Sequence, residues 1–175
     1  MAMFQGWENF YLMLGPAAAG LIGLLFVVVT LTTGRDRSET SRGQAFYLTP
    51  TALNFAVVMT ISAVAMAPRM PPSATAALFS LVALAGLASA IRASIGISSP
   101  RPDRQAPHWS DFWLYGVMPT VVYLALCAAC VAVWLRAEWA AHALAGLLLV
   151  LLLVAIRNAW DLVTTIAPMR GGGVG

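Results

Sequence analysis

Five long apolar runs, separated by short polar stretches, account for nearly the whole chain. They fall at about residues 11–33, 50–67, 74–97, 111–135 and 139–167. A helix needs about 20 residues to cross the hydrocarbon of a bilayer, so all five qualify as spans, the second barely. The punctuation supports helices. Thr49 reads as an N-cap with Pro50 at the first helical position of the second run, and Ser110 as a cap for the fourth. The fold class expected is all-α integral membrane: one bundle of five transmembrane helices over residues 1–168, with a flexible tail at 169–175, "RGGGVG" following Met169. The intervening loops are too short to fold alone, and no domain boundary is visible.

Composition strengthens this picture. Of the 175 residues 60% are hydrophobic and 10% charged, and the mean hydropathy is +0.80. A water-soluble domain is nearer half apolar and a quarter charged, so there is too little polar surface to cover a soluble globule. The first run has no basic segment before it, only Glu8, and is longer than a signal-peptide core, so it reads as a retained span.

Charge then orients the bundle. The net charge of +3 comes from ten arginines and no lysine, scattered over short loops, which points to membrane topology and not to nucleic acid. Arg35, Arg37, Arg42, Arg92, Arg101, Arg104, Arg157 and Arg170 collect on one side of a five-span chain; Arg69 and Arg136 fall on the other. The positive-inside rule therefore predicts the N-terminus outside and the C-terminus cytoplasmic. Tryptophans agree with the span boundaries: Trp7, Trp134 and Trp139 mark one interface, Trp109, Trp113 and Trp160 the other.

Small residues recur every four positions on two spans, as Gly15, Ala19 and Gly23 on the first and Gly86, Ala90 and Ser94 on the third. In lipid this spacing lets helix backbones approach closely. Spans one and three are thus expected to be interior or interfacial, against another span of the chain or another copy; a homo-oligomer is the expected state.

Polar side chains at membrane depth are the candidate functional residues, because ionisable groups are costly there. Asn54, Thr60 and Tyr123 are such groups, and Arg92, Arg157, Asn158 and Asp161 form the candidate polar intramembrane site. Two readings compete for the last three. From Trp139 to Asn158 is 20 residues, about 30 Å of helix, which brings Arg157 to an interface where it can snorkel. Yet "LVTTIAP" continues apolar beyond Asp161, so this face either packs on protein outside the lipid or sits within the bundle, with Arg92 as its polar neighbour. Arg157 and Asp161, at i,i+4, can pair with each other.

Enzymatic chemistry has little to stand on. Cys127 and Cys130 form a CxxC pair inside an apolar span, either small core residues or a pair for thiol redox or soft-metal chemistry. His108 and His142 fall on opposite sides of the membrane and cannot share a haem iron. The sequence shows no paired carboxylates and no nucleotide loop. No catalytic residue, cofactor or metal site is expected, and the chain reads as a non-enzyme.

The segments "GWENFYLMLGPAAAGLIGLLFVVVTL", "LTPTALNF", "LYGVMPTVVYLAL" and "IRNAWDLVTTIA" resemble a group of proteobacterial inner-membrane proteins to which no activity is assigned. The resemblance runs in order along nearly the whole chain, and its most specific pieces are Trp7–Tyr11 and Arg157–Asp161. It implies a compact multi-span bundle in the bacterial inner (cytoplasmic) membrane. Three functions are expected in turn: a homo-oligomeric channel- or transporter-like bundle for ions or a small solute, a scaffold or accessory subunit of a larger membrane complex, and a thiol or quinone redox protein using Cys127 and Cys130.

Overall fold

A computed structural model of the protein describes residues 4–32, 40–98 and 112–166. Five helices carry the described residues: α1 (Glu8–Thr32), α2 (Thr40–Ala65), α3 (Pro72–Ser98), α4 and α5 (Ala140–Ile166). Helix α4 opens as a π-helix over Phe112–Val117 and continues as an α-helix over Met118–Trp134. Each of the five contains a stretch long and apolar enough to cross a membrane. Ser110, the expected cap of the fourth span, and the tail at 169–175 lie outside the described residues.

The helices run alternately up and down between two ends, here called the Trp7 end and the Asp161 end. At the Trp7 end the α4–α5 link is a tight helix stop. The Ala137 amide donates to the Ala132 carbonyl and the Arg136 amide to Val133, with Arg136 left-handed at φ 55°. These bonds satisfy carbonyls that the end of α4 leaves open. Ahead of α1, Phe4 is buried and meets Tyr11 and Phe79 edge-on, while Trp7 meets His142. These rings tie the start of the chain to α3 and α5.

The middle of the bundle is filled by Phe55, Val58 and Ile61 from α2, Tyr123 and Leu126 from α4, and Leu144, Leu148 and Leu151 from α5. Lipid is as apolar as these side chains, so close backbone approach and hydrogen bonds must supply the preference for helix over lipid. Gly86 of α3 provides the closest approach. A Cβ there would overlap the Tyr123 ring, and the Tyr123 hydroxyl donates to Asn54 Oδ1 at 2.8 Å. One side chain thus joins α2, α3 and α4. Toward the Asp161 end Gly116 lies against Ser94, whose Oγ would be 2.9 Å from an added Cβ. Toward the Trp7 end Gly15 lies against Ser62, at 3.2 Å from its Cβ by the same measure.

The small residues therefore divide. Gly15, Gly86 and Ala90 are buried and Ser94 is half-buried, whereas Ala19 and Gly23 are exposed. Among the described residues of the other helices, nothing lies within 4 Å of a Cβ added at Gly20 or Gly23. Helix α1 is the peripheral member, with 22% of its apolar window buried against 50% for α4 and α5.

One expectation is corrected. Thr49 and Pro50 do not start the second helix; α2 begins at Thr40 and passes through Pro50. Proline removes one i→i−4 hydrogen bond, and a transmembrane helix tolerates that loss where neighbouring groups or local adjustments satisfy the freed carbonyl. Residues on both sides of Pro50 are helical.

Gly86→Ala is expected to destabilise the bundle by about 1–3 kcal/mol, because the Tyr123 ring is held by its hydrogen bond and cannot yield freely. Gly20→Ala, facing open space, is expected to be neutral or mildly stabilising. Unfolding of purified protein in detergent, followed by circular dichroism, compares the two.

Candidate functional site: a polar clamp at the Asp161 end

Along α5 the buried positions recur as Leu144, Leu148, Leu151, Ala155, Asn158 and Leu162, a spacing of four and three that keeps one face toward the bundle. Asn158 is thus a member of the inward stripe and is 1% exposed. Arg157 and Trp160 flank that stripe and face outward, Trp160 at 70% exposure. A helix of 27 residues is about 40 Å long, about 10 Å more than the hydrocarbon. The surplus is accommodated within the chain: Leu162 packs with Ile97 of α3 and Tyr115 of α4, bordered by Leu48 and Leu114.

Hydrogen bonds fasten this contact. Asn158 Nδ2 donates to the Leu114 carbonyl at 3.0 Å. The Tyr115 hydroxyl is shared between the Asn158 carbonyl at 2.9 Å and Asp161 Oδ2 at 3.1 Å. Leu114 and Tyr115 lie in the π-helical opening of α4. A π-turn widens the ladder to i→i+5 bonds, and here a side chain from the neighbouring helix reaches one of its carbonyls. The opening is followed by Thr120, which donates to the Gly116 carbonyl at 2.8 Å and lies 3.4 Å from Ser94 Oγ on α3. Asn158 Oδ1 is buried and has no hydrogen-bond partner among the described residues.

The ion pair is of another kind. Arg157 Nη1 is 3.7 Å from Asp161 Oδ1, with the side chains 50% and 40% exposed. At that separation and exposure it contributes less than about 1 kcal/mol. The clamp rests on Asn158 and Tyr115, and Asp161 joins the clamp to the exposed charge of Arg157.

The four expected site residues are therefore not all together. Arg157, Asn158 and Asp161 share the last turns of α5. Arg92 lies on the exposed side of α3 beside Ile91 and Ile95, which are exposed as well. No ion pair or hydrogen bond joins it to the cluster among the described residues. Its long side chain sits six residues before the end of α3, within snorkelling reach of the interface. Tyr115 and the Leu114 carbonyl, which complete the clamp, were not among the expected residues; the inward stripe of α5 signals Asn158, but nothing in the local pattern signals a π-turn.

The other candidate chemistry is placed as follows. Cys130 is buried in the core and Cys127 is half-buried one turn away, both as free thiols. His142 is exposed against Trp7, and His108 lies outside the described residues. Among the described residues no three His, Cys, Asp or Glu side chains gather as a metal site. Comparison with known proteins gives no match, either to a protein-family model, to a curated protein or to a solved structure.

Asn158→Ala is expected to lower stability by about 1–3 kcal/mol by leaving the Leu114 carbonyl without its donor. Arg157→Ala is expected to change it by less than about 1 kcal/mol. Thermal unfolding in detergent measures both, and equal effects would contradict this division of roles.

Proposed function

We propose that the chain is a scaffold or accessory subunit of a larger assembly in the bacterial inner membrane, working through its outer surfaces. In this reading the Asp161 end is cytoplasmic, as the arginine distribution suggests. The observation that carries the proposal is the filled middle of the bundle. Tyr123, Phe55, Leu126 and the α5 leucines occupy it, and there the Tyr123 hydroxyl donates to Asn54 Oδ1. The surface by contrast leaves a small-residue ridge on α1 open, at Ala19, Gly20 and Gly23. Such a ridge admits close approach of another helix.

A second reading, a homo-oligomeric channel- or transporter-like bundle, is favoured by the exposed Arg157–Asp161 pair near one membrane face. A solute path then runs between copies and not through one. Both readings use the α1 ridge, and they differ in what occupies it.

Purification in mild detergent from the native membrane is expected to retain a stoichiometric partner of different sequence. Gly20→Leu together with Gly23→Leu, at positions where an added Cβ meets nothing within 4 Å among the described residues, is expected to release that partner while leaving the unfolding temperature unchanged. Recovery of a symmetric oligomer of this chain alone, with solute flux in liposomes that Asp161→Asn abolishes, would decide for the second reading.

A further inference from the structure

We propose that the trough between α1 and α2 near the Trp7 end holds one acyl chain of a bilayer phospholipid, and that Glu8 and Arg69 at its mouth read a phosphatidylethanolamine headgroup. The trough holds about 450 Å³, within the range of about 300–1,000 Å³ of small-molecule sites. Its floor is Tyr11, Gly15 and Ser62, all buried, and its rims, Leu12 and Ala19 on α1 and Ala63 and Met66 on α2, are exposed. The Tyr11 and Ser62 hydroxyls are themselves buried, so the trough offers its occupant an apolar surface. From Leu12 to Ala19 it runs about 10 Å along the helix axis, within one leaflet's share, about 15 Å, of the hydrocarbon. An alkyl chain lying along the helices matches that length and that polarity.

Charge at the mouth selects the head. The two helices are antiparallel, and Gly15 sits against Ser62. Glu8 is seven residues before Gly15 and Arg69 seven residues after Ser62, so this register brings both charges to the Trp7 end of the trough, at about one level. Glu8 is on the trough face of α1, at i with Leu12, Gly15 and Ala19 at i+4, i+7 and i+11. Arg69 follows the rim residue Met66 in the link that leads to α3. Both side chains are exposed, and among the described residues no ion pair joins them to each other or to a third group. Glu8 accepts from the Gly6 amide through Oε2, which leaves its other oxygen for a ligand. A phosphatidylethanolamine head carries an opposite charge for each residue: the guanidinium donates to its phosphate, and the carboxylate accepts from its primary ammonium. Phosphatidylglycerol offers Glu8 no cation, and the quaternary ammonium of phosphatidylcholine has no N–H to donate.

The test uses the full chain in phosphatidylcholine nanodiscs with a small fraction of phosphatidylethanolamine carrying a diazirine in one acyl chain. After photolysis the label is expected on the α1 and α2 peptides that border the trough. Added unlabelled phosphatidylethanolamine displaces it, and the same amount of phosphatidylglycerol displaces less. Glu8→Gln, which keeps an acceptor for the Gly6 amide, and Arg69→Gln are each expected to weaken labelling about fivefold, the most that an exposed charge pair contributes. Ala63→Leu, at an exposed rim position, fills the trough and abolishes labelling whatever the head. The unfolding temperature of each variant, expected to be unchanged, separates lost binding from lost fold. Equal displacement by phosphatidylglycerol, label spread over all five helices, unchanged labelling of both charge variants, or cross-linking of the trough to another protein chain would overturn the proposal.

Discussion

The Tyr123 side chain, packed against Gly86 and hydrogen-bonded to Asn54, is the contact on which the rest of the bundle depends. Burying leucine against leucine gains little over leaving both in lipid, so apolar helices need another reason to associate. Tyr123 supplies two at once. Its ring uses the missing side chain of Gly86 to bring α3 and α4 together, and its hydroxyl donates to Asn54 Oδ1, a buried polar atom of α2 that would otherwise be a cost at membrane depth. Three helices are registered by one residue. The same residue is fully buried in the middle of the molecule, which is the ground for placing the proposed role on the outer surfaces.

The two ends solve different problems. At the Trp7 end, aromatic edges and a tight helix stop hold the start of the chain against α3 and α5. At the Asp161 end, α5 is longer than the hydrocarbon, and its extra turns need partners. They find them in the π-helical opening of α4, where Asn158 answers the Leu114 carbonyl and Tyr115 answers Asp161. The polar residues in the last turns of α5 are held there by hydrogen bonds with α4. What they leave exposed is one guanidinium–carboxylate pair, a charged marker at the rim.

Much of this was legible in the sequence. The apolar runs fall on the five helices to within a few residues, apart from the early start of α2. The boundary tryptophans Trp113, Trp134, Trp139 and Trp160 are exposed, as interface anchors should be. The i,i+4 pairing of Arg157 with Asp161 needs only helix geometry. Other features depend on neighbours that local pattern does not specify. Pro50 reads as a helix start because proline favours one, yet flanking turns carried α2 through it. Arg92 and Arg157 lie at similar depth, but depth says nothing about which way a side chain faces, and α3 turns Arg92 outward. The identical spacings of Gly15–Ala19–Gly23 and Gly86–Ala90–Ser94 look equivalent, yet α3 has neighbours along its stripe, whereas among the described residues nothing lies within 4 Å of a Cβ added at Gly23 of α1. The π-opening has no composition signature; it becomes intelligible only with Asn158 beside it.

The central claim is that the interior of one protomer is closed to water and that function is carried outside it. Cys130 reports on this directly, since it is buried on α4 within the core and Cys127→Ala leaves it as the one thiol in the chain. In sealed liposomes, a charged water-borne methanethiosulfonate reagent supplied on either side should leave Cys130 unmodified, and should modify it fully after unfolding in dodecyl sulfate. Modification of Cys130 in the folded protein would show an aqueous route into the bundle and contradict the account.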